Sequence, residues 1–99
     1  MSITSDIDNN ELVIHISGRF DFSLHRDFRE AVERITPKVK QARIDLEKTE
    51  YVDSSALGML LILRDKMGDE PGNIRITGVR PSVRKILEIA NFEQLFKVA

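Results

Sequence analysis

The sequence predicts a single α/β domain over residues 1–99, built on a mixed, mostly parallel sheet that begins with an N-terminal β-hairpin. Strand-like segments alternate with helical periodicities along the chain, which favours parallel strands joined by crossover helices. The first two strand-like segments are separated by Asn9-Asn10, a hairpin signal. A chain of 99 residues, 41% of them hydrophobic, is long enough for one ordinary core. The expected order is β-β-α-β-α-β-α with a short C-terminal tail.

The hairpin is predicted from alternating hydrophobicity. Apolar and polar residues alternate over Glu11–Ser17, which is typical of a half-buried strand. Ile3–Ile7 is its expected partner across the turn, and Gly18 is expected to end the second strand.

An amphipathic helix and a short strand are predicted next. From Ser23 onward apolar residues recur at helical spacing, charged residues fill the opposite face, and Thr36-Pro37 closes the segment. The apolar stripe consists of Leu24, Phe28, Ala31, Val32 and Ile35. Ala42–Leu46 is predicted as a short buried strand.

A second helix is predicted over Ser54–Met67. Two of its turns are almost wholly apolar, so we expect the helix to be buried. A turn-rich loop over Gly68–Asn73 leads to a strand at Ile74–Thr77, which Gly78 ends.

A third helix and a tail complete the chain. Pro81 suits the first turn of the helix, and Asn91 can cap its end. The apolar stripe of this helix consists of Val83, Ile86, Leu87 and Ala90. The tail residues expected to pack on the core are Phe92, Leu95, Phe96 and Val98.

Composition excludes several classes of function. There are no cysteines, so disulfides, thiol chemistry and cysteine-based metal sites are excluded. Fifteen Lys and Arg against sixteen Asp and Glu leave a net charge of −1, whereas binders of nucleic acid or anionic membranes usually carry a basic excess. No signal-peptide pattern is present, and the longest apolar run, residues 56–63, is too short to span a bilayer. We expect a cytoplasmic protein that neither binds nucleic acid nor inserts into a membrane.

Catalytic motifs are missing from the sequence. A serine hydrolase would need a Gly-x-Ser-x-Gly elbow and an activating histidine; the elbow is absent, and His15 and His25 are expected to be solvated. Neither histidine has companions at metal-ligand spacing, and no P-loop or dinucleotide-binding glycine motif occurs. Asp45 and Glu47 at a strand end are expected to form a solvated edge. The sequence therefore predicts no enzyme, no cofactor and no metal ion.

The most informative segment is Asp53-Ser54-Ser55, where a loop becomes a helix. Asp and Ser are preferred N-caps, so capping by itself accounts for these residue types. Three polar residues cluster, however, where one cap suffices, and Gly58 lies four residues after Ser54 on the same helical face. Glycine inside a helix costs about 0.5–1 kcal/mol relative to alanine. It leaves the surface beside Ser54 flat, so that another backbone could come close.

These residues resemble the signature of STAS domains, and more closely that of bacterial anti-sigma factor antagonists. The signature is Asp-Ser-Ser-Ala-Leu-Gly at 53–58, after the aromatic-Val pair at 51–52. Ser-Gly-Arg-Phe-Asp at 17–21 is similar to the family's Gly-x-hydrophobic-Asp segment, and Gly-Val-Arg-Pro-Ser-Val at 78–83 to the start of its third helix. The resemblance covers nearly the whole chain. Most antagonists have Gly where this chain has Ala56, and alanine suits a helix at least as well.

The resemblance implies a phosphorylation switch at Ser54, the hydroxyl directly after the motif aspartate. In the family a serine kinase, often itself an anti-sigma factor with an ATPase-type fold, modifies this residue, and a PP2C-type phosphatase restores it. The unmodified form binds the kinase-like partner and frees a sigma factor; the phosphorylated form does not bind. Ser55 is the second candidate acceptor. The expected partner-binding residues are Asp21, Asp53, Ser54, Ser55 and Gly58.

Several alternatives stay open. Asp21, with Ser23, could cap the following helix, contact a partner, or do both, and Ser55 could be the true cap of its helix. Leu57 and Leu61 could belong to the partner surface or to the core. A STAS subunit of a membrane transport complex, docked constitutively on a permease or an ATPase, would use the same fold without phosphorylation. A nucleotide-binding role is disfavoured because no phosphate-binding glycine loop is present.

Overall fold

The structure is a computed structural model that describes residues 2–68 and 73–98, which form five strands and three α-helices. The strands are β1 (Ser2–Asp8), β2 (Glu11–Phe20), β3 (Gln41–Val52), β4 (Ile74–Thr77) and β5 (Lys97–Val98). The helices are α1 (His25–Glu33), α2 (Ser54–Met67) and α3 (Pro81–Ile89). Short 3-10 turns lie at Phe22–Leu24, before α1, and at Phe92–Gln94, after α3. The expected α/β class is confirmed.

The five strands lie in the sheet in chain order. β1 and β2 form the predicted antiparallel hairpin, with Asp8 opposite Glu11 and a left-handed Asn9 (φ 58°) in the turn. The pairs β2–β3, β3–β4 and β4–β5 are all parallel. The sheet is therefore mixed and mostly parallel, as the sequence predicts.

One face of this sheet carries the core. Two rows of side chains run across β2, β3 and β4 in register and are exposed by 1% or less: Leu12, Ala42 and Ile74, then Ile14, Ile44 and Ile76. Phe28 of α1, Leu60 of α2 and Leu87 of α3 belong to the same buried cluster. Right-handed crossovers that all step in one direction place their helices on one side of a sheet. The opposite face of the sheet is consequently polar.

β3 is longer than predicted, because two bulges break its alternation. Between Asp45 and Lys48, and again between Thr49 and Tyr51, β3 has one residue more than the facing part of β2. The buried positions after Leu46 then recur every third residue, at Thr49 and Val52. The prediction that the strand ends at Leu46 is wrong, since it relied on a period of two.

The expectation that Gly18 ends β2 is wrong, because Gly18 lies within this strand. Its φ of 82° belongs to the left-handed region, and the strand continues to Phe20. Gly78 does follow β4 directly, with a φ of 68°.

Asp45 holds the first bulge in place. Its Oδ1 accepts a hydrogen bond from the backbone N–H of Glu47 (3.0 Å), and its Oδ2 lies 2.9 Å from His15 Nδ1. The expectation that His15 and Asp45 are merely solvated is therefore wrong. Burial opposes ionisation of Asp45, but the hydrogen bonds from Glu47 and His15 outweigh it and hold the pKa of this carboxyl below 3.8.

The helices follow the predicted pattern with two differences. α1 begins at His25 rather than Ser23, because a 3-10 turn precedes it. α2 has the predicted bounds, but it is not buried all round, since Leu61 and Ile62 are exposed. Within the described residues no helix is long and apolar enough to cross a bilayer.

The predicted loop and tail are partly corrected. Of the loop over Gly68–Asn73, residues 69–72 lie outside the described residues. The tail packs on the core through Phe92 and Phe96, as expected, and it also adds the two-residue strand β5 beside β4.

We predict that Asp45→Asn lowers the free energy of unfolding by about 1–2 kcal/mol at neutral pH, because charge-assisted hydrogen bonds are lost. A lowered pKa means that Asp45 stabilises the fold fully above 3.8 and progressively less as pH falls through the folded-state pKa. The difference between wild type and variant should therefore vanish in acid. Urea unfolding from about pH 2 to 7 measures it.

Asp8→Asn, an exposed carboxylate in the hairpin, is the matched control and should track wild type at every pH. An Asp45→Asn variant with the wild-type acid profile would show that the bulge does not depend on this carboxylate.

Candidate functional site

The candidate site lies where β2 and β3 end. The backbone N–H of Asp53 donates to the carbonyl of Phe20 (3.3 Å), which extends the pairing of the two strands by one residue. Asp21 follows Phe20, and Ser54 follows Asp53. The carboxyl ends of parallel strands are where such sheets usually place function, and here both predicted segments meet there.

Asp53 is the N-cap of α2. It is extended (φ −114°), and its Oδ1 accepts a hydrogen bond from the backbone N–H of Ala56 (2.9 Å). The capping role therefore belongs to Asp53 and not to Ser55, which is the second residue of the helix. Ser54, the first residue, is exposed, and its hydroxyl forms no side-chain hydrogen bond within the part of the chain that the structure describes.

Asp21 also caps a helical turn. Its Oδ1 accepts hydrogen bonds from the backbone N–H (3.0 Å) and the hydroxyl (2.5 Å) of Ser23, at the start of the 3-10 turn that precedes α1. Its Oδ2 lies 3.7 Å from Arg19 Nε. The hydrogen bonds from Ser23, helped by the charge of Arg19, lower the pKa of Asp21. This carboxylate is therefore ionised at neutral pH.

One face of α2 extends from Ser54 as a stripe made of Ser54, Gly58, Leu61 and Ile62, of which Gly58 is half-buried and the other three are exposed. A Cβ added at Gly58 would meet nothing within 4 Å, so this part of the helix surface is open. Leu61 is 38% and Ile62 51% exposed, whereas Leu57 is half-buried and packs against the core. Leu61 is thus a surface residue and Leu57 mainly a core residue.

Apolar residues missed by the sequence analysis continue this surface onto the start of α1. Phe22, directly after Asp21, is 66% exposed and stacks on His25 with ring centroids 5.1 Å apart. A groove of about 230 Å³ lies between α1 and α2, lined by His25, Phe28, Arg29, Met59 and Ile62. The sequence did contain a signal for exposed apolar residues on α2, because a helix that is apolar on all sides cannot bury every side against one sheet. Within residues 2–68 and 73–98, no cluster of three or more His, Asp or Glu could hold a metal ion.

Comparison with known proteins places this chain in a family. Residues 3–97 match the model of the family described as Mlab, STAS domain. The STAS-domain containing protein PA14_20770 of Pseudomonas aeruginosa (strain UCBPP-PA14) is 52% identical over 101 residues, covering 100% of both chains.

Two solved structures share the fold at low sequence identity. An anti-sigma factor antagonist from Mycobacterium paratuberculosis is similar with a TM-score of 0.81 and 19% identity, over 98% of this chain and 83% of that chain. A sulfate transporter family protein from Wolinella succinogenes has a TM-score of 0.77 and 16% identity, over 94% and 79% of the two chains. Since the family model spans nearly all residues and the Pseudomonas relative matches end to end, this chain belongs to the STAS domain family.

Proposed function

We propose that this chain is a single-domain, phosphorylation-switched anti-sigma factor antagonist that acts in the cytoplasm. Its unphosphorylated form binds an anti-sigma factor with a serine kinase-like ATPase fold and so frees a sigma factor or another effector. Phosphorylation of Ser54 abolishes that binding. The observation that carries the proposal is the exposed Ser54 hydroxyl, which the fold does not use because Asp53 caps α2.

The chemistry of the switch belongs to two partner enzymes. The kinase transfers the γ-phosphoryl group of ATP to Ser54 Oγ, the hydroxyl proton leaves, and ADP is released. A PP2C-type phosphatase hydrolyses the phosphoserine with water and regenerates the hydroxyl. In this scheme the chain is a substrate and a binding module, not an enzyme. Ser55, which is half-buried, is the less accessible acceptor.

A phosphate at this position affects binding more than folding. The N-terminus of α2 favours negative charge, so the folded chain tolerates the group. A partner surface would meet about 1.5 to 2 additional negative charges beside Asp21 and Asp53. A tenfold loss of affinity takes only about 1.4 kcal/mol. Repulsion and desolvation of that size are enough for a switch.

The surface around Ser54 has the composition of a binding site. Phe22, Leu61 and Ile62 expose apolar area on neighbouring elements, and polar groups of Asp21 and Ser54 border it. Contiguous apolar patches with a polar rim mark interaction sites on soluble proteins. We assign this surface, together with Asp53, Ser55 and Gly58, to the partner.

A second function is favoured by one comparison. The sulfate transporter family protein has the same fold, so a STAS subunit docked constitutively on a membrane transport complex is the alternative. The same stripe of α2 would serve that docking, and Ser54 would then carry no phosphate. The two functions differ in whether Ser54 is ever modified.

We predict that phosphopeptide mapping of the protein from its own cells under two growth conditions finds phosphate on Ser54 with changing occupancy. Ser54→Ala should remove that phosphopeptide, leave the melting transition nearly unchanged and retain a kinase-like protein through affinity purification. The melting transition should not change, because the Ser54 hydroxyl is exposed and the fold does not depend on it.

Ser82→Ala is the matched control, because Ser82 is an exposed serine in the first turn of α3. It should alter neither phosphorylation nor the retained partner. Absence of phosphate on Ser54 in every condition, with stable copurification of a membrane complex, would replace the switch by the transport-subunit function.

Gly58→Ala should separate stability from binding. The variant should raise the free energy of unfolding by about 0.5–1 kcal/mol, because alanine is the better helix former and its Cβ has open space. It should weaken binding of the kinase-like protein roughly tenfold, since the methyl group obstructs a close backbone approach. Thermal unfolding and calorimetric titration measure the two effects.

Gly78→Ala gives the contrasting control. This substitution should lower the free energy of unfolding by about 1–2 kcal/mol. The φ of residue 78 is 68°, and the added Cβ would lie only 3.0 Å from the Glu47 backbone nitrogen. Should Gly58→Ala bind as tightly as wild type, the partner does not approach α2 closely at this turn.

Ile62→Lys should weaken binding of the same partner by more than about tenfold while changing stability by less than about 0.5 kcal/mol. The lysine charge would enter the apolar groove between α1 and α2. The Ile62 side chain is already half exposed, so the fold loses little. Ile89→Lys on α3 is the control, because Ile89 is 75% exposed and lies on another helix. Equal losses in both variants would exclude the α2 stripe as the specific surface.

A further inference from the structure

Arg19 lies near the end of β2 and contacts both segments that meet at the candidate site. It faces Tyr51 in the register of β2 and β3, and its guanidinium carbon is 4.4 Å from the centre of the Tyr51 ring. Its Nε is 3.7 Å from Asp21 Oδ2. The cation therefore contacts the last residues of β3 and the loop after β2 at the same time.

The contact with Asp21 is loose. A separation of 3.7 Å is too long for a hydrogen bond, and the Arg19 side chain is 58% exposed. Exposed ion pairs of this kind contribute about 0–1 kcal/mol. Asp21 is held independently through two hydrogen bonds from Ser23. Arg19 can consequently leave Asp21 without disturbing the loop.

The backbone connects the strand end that carries Arg19 with the segment that carries Ser54. The hydrogen bond from Asp53 N–H to the Phe20 carbonyl joins the two segments, and Arg19 and Ser54 are each one residue from it. The Tyr51 ring keeps the guanidinium at this end of the sheet through a cation–π contact. Arginine pairs with phosphate through two parallel hydrogen bonds, which a carboxylate 3.7 Å away does not offer here.

We propose that Arg19 is the internal partner of the phosphate on Ser54. In the unmodified protein its guanidinium rests between Tyr51 and Asp21; after phosphorylation it transfers from Asp21 to the phosphate oxygens. This inference rests on the proposed phosphorylation of Ser54 and adds its internal consequence. Phosphorylation then adds negative charge to the surface that the partner binds. It also removes the positive charge of Arg19 from Asp21.

The test installs phosphoserine at position 54 during translation, so that no kinase is needed, and titrates the phosphate by ³¹P NMR. Pairing with Arg19 stabilises the dianion, so the second pKa should lie below that of the Arg19→Gln variant by roughly 0.5 unit, about threefold in proton affinity. Arg75→Gln is the control, because this substitution removes the same charge at the opposite end of β2, where Arg75 pairs with Glu11.

Tyr51 gives an independent readout, since the chain has one tyrosine and no tryptophan. Its fluorescence should change on phosphorylation in wild type and stay constant in Arg19→Gln. A phosphate that titrates alike in wild type, Arg19→Gln and Arg75→Gln, with no change at Tyr51, would overturn the role of Arg19. A native protein never phosphorylated in cells would instead refute the proposed function and leave the NMR result standing.

Discussion

The register between β2 and β3 is the constraint on which the candidate site depends. From the pair His15–Asp45 to the pair Phe20–Val52, β2 advances five residues and β3 seven, and two bulges absorb the difference. Because of that match both strands end together, and Asp53 can hydrogen-bond to Phe20. If one of the two bulges were missing, the loop with Asp21 and the helix with Ser54 would be out of step by one residue, which also reverses the direction of side chains.

Asp45 therefore influences the site from a distance. Its two carboxylate oxygens hold the first bulge through Glu47 and fix His15 on the neighbouring strand. Gly78 packs against the same bulge so closely that a Cβ would lie 3.0 Å from Asp45 and Glu47. The polar side chains of this region serve the geometry of the strand ends. They explain why a histidine and a carboxylate come together here without any catalytic partner having to be invoked.

Much of the fold could be predicted from the sequence, because hydrophobic periodicity is a local signal. The hairpin at Asn9-Asn10, the bounds of α2 and the strand at Ile74–Thr77 all follow from it and are confirmed. The long β3 could not be predicted, because bulges change the period from two to three and place the polar Thr49 in the core, where its hydroxyl bonds to the Ile16 carbonyl (2.7 Å). The capping role of Asp53 was one of the alternatives; choosing among the neighbouring polar residues required the backbone conformation.

The fold by itself does not decide between an antagonist and a transport subunit, since both occur on it. The decision lies in how α2 distributes its residues. A helix selected for stability alone would not carry Gly58 with open space above it, nor expose Ile62 beside a groove. Under either proposed function these features would serve the binding of a partner. An exposed serine at the first helical position, spared from capping by its own neighbour, adds something that constitutive docking does not require. The switch that we propose needs a complex stable enough to form but disrupted by a few kcal/mol, and a phosphate on Ser54 would supply a change of that size.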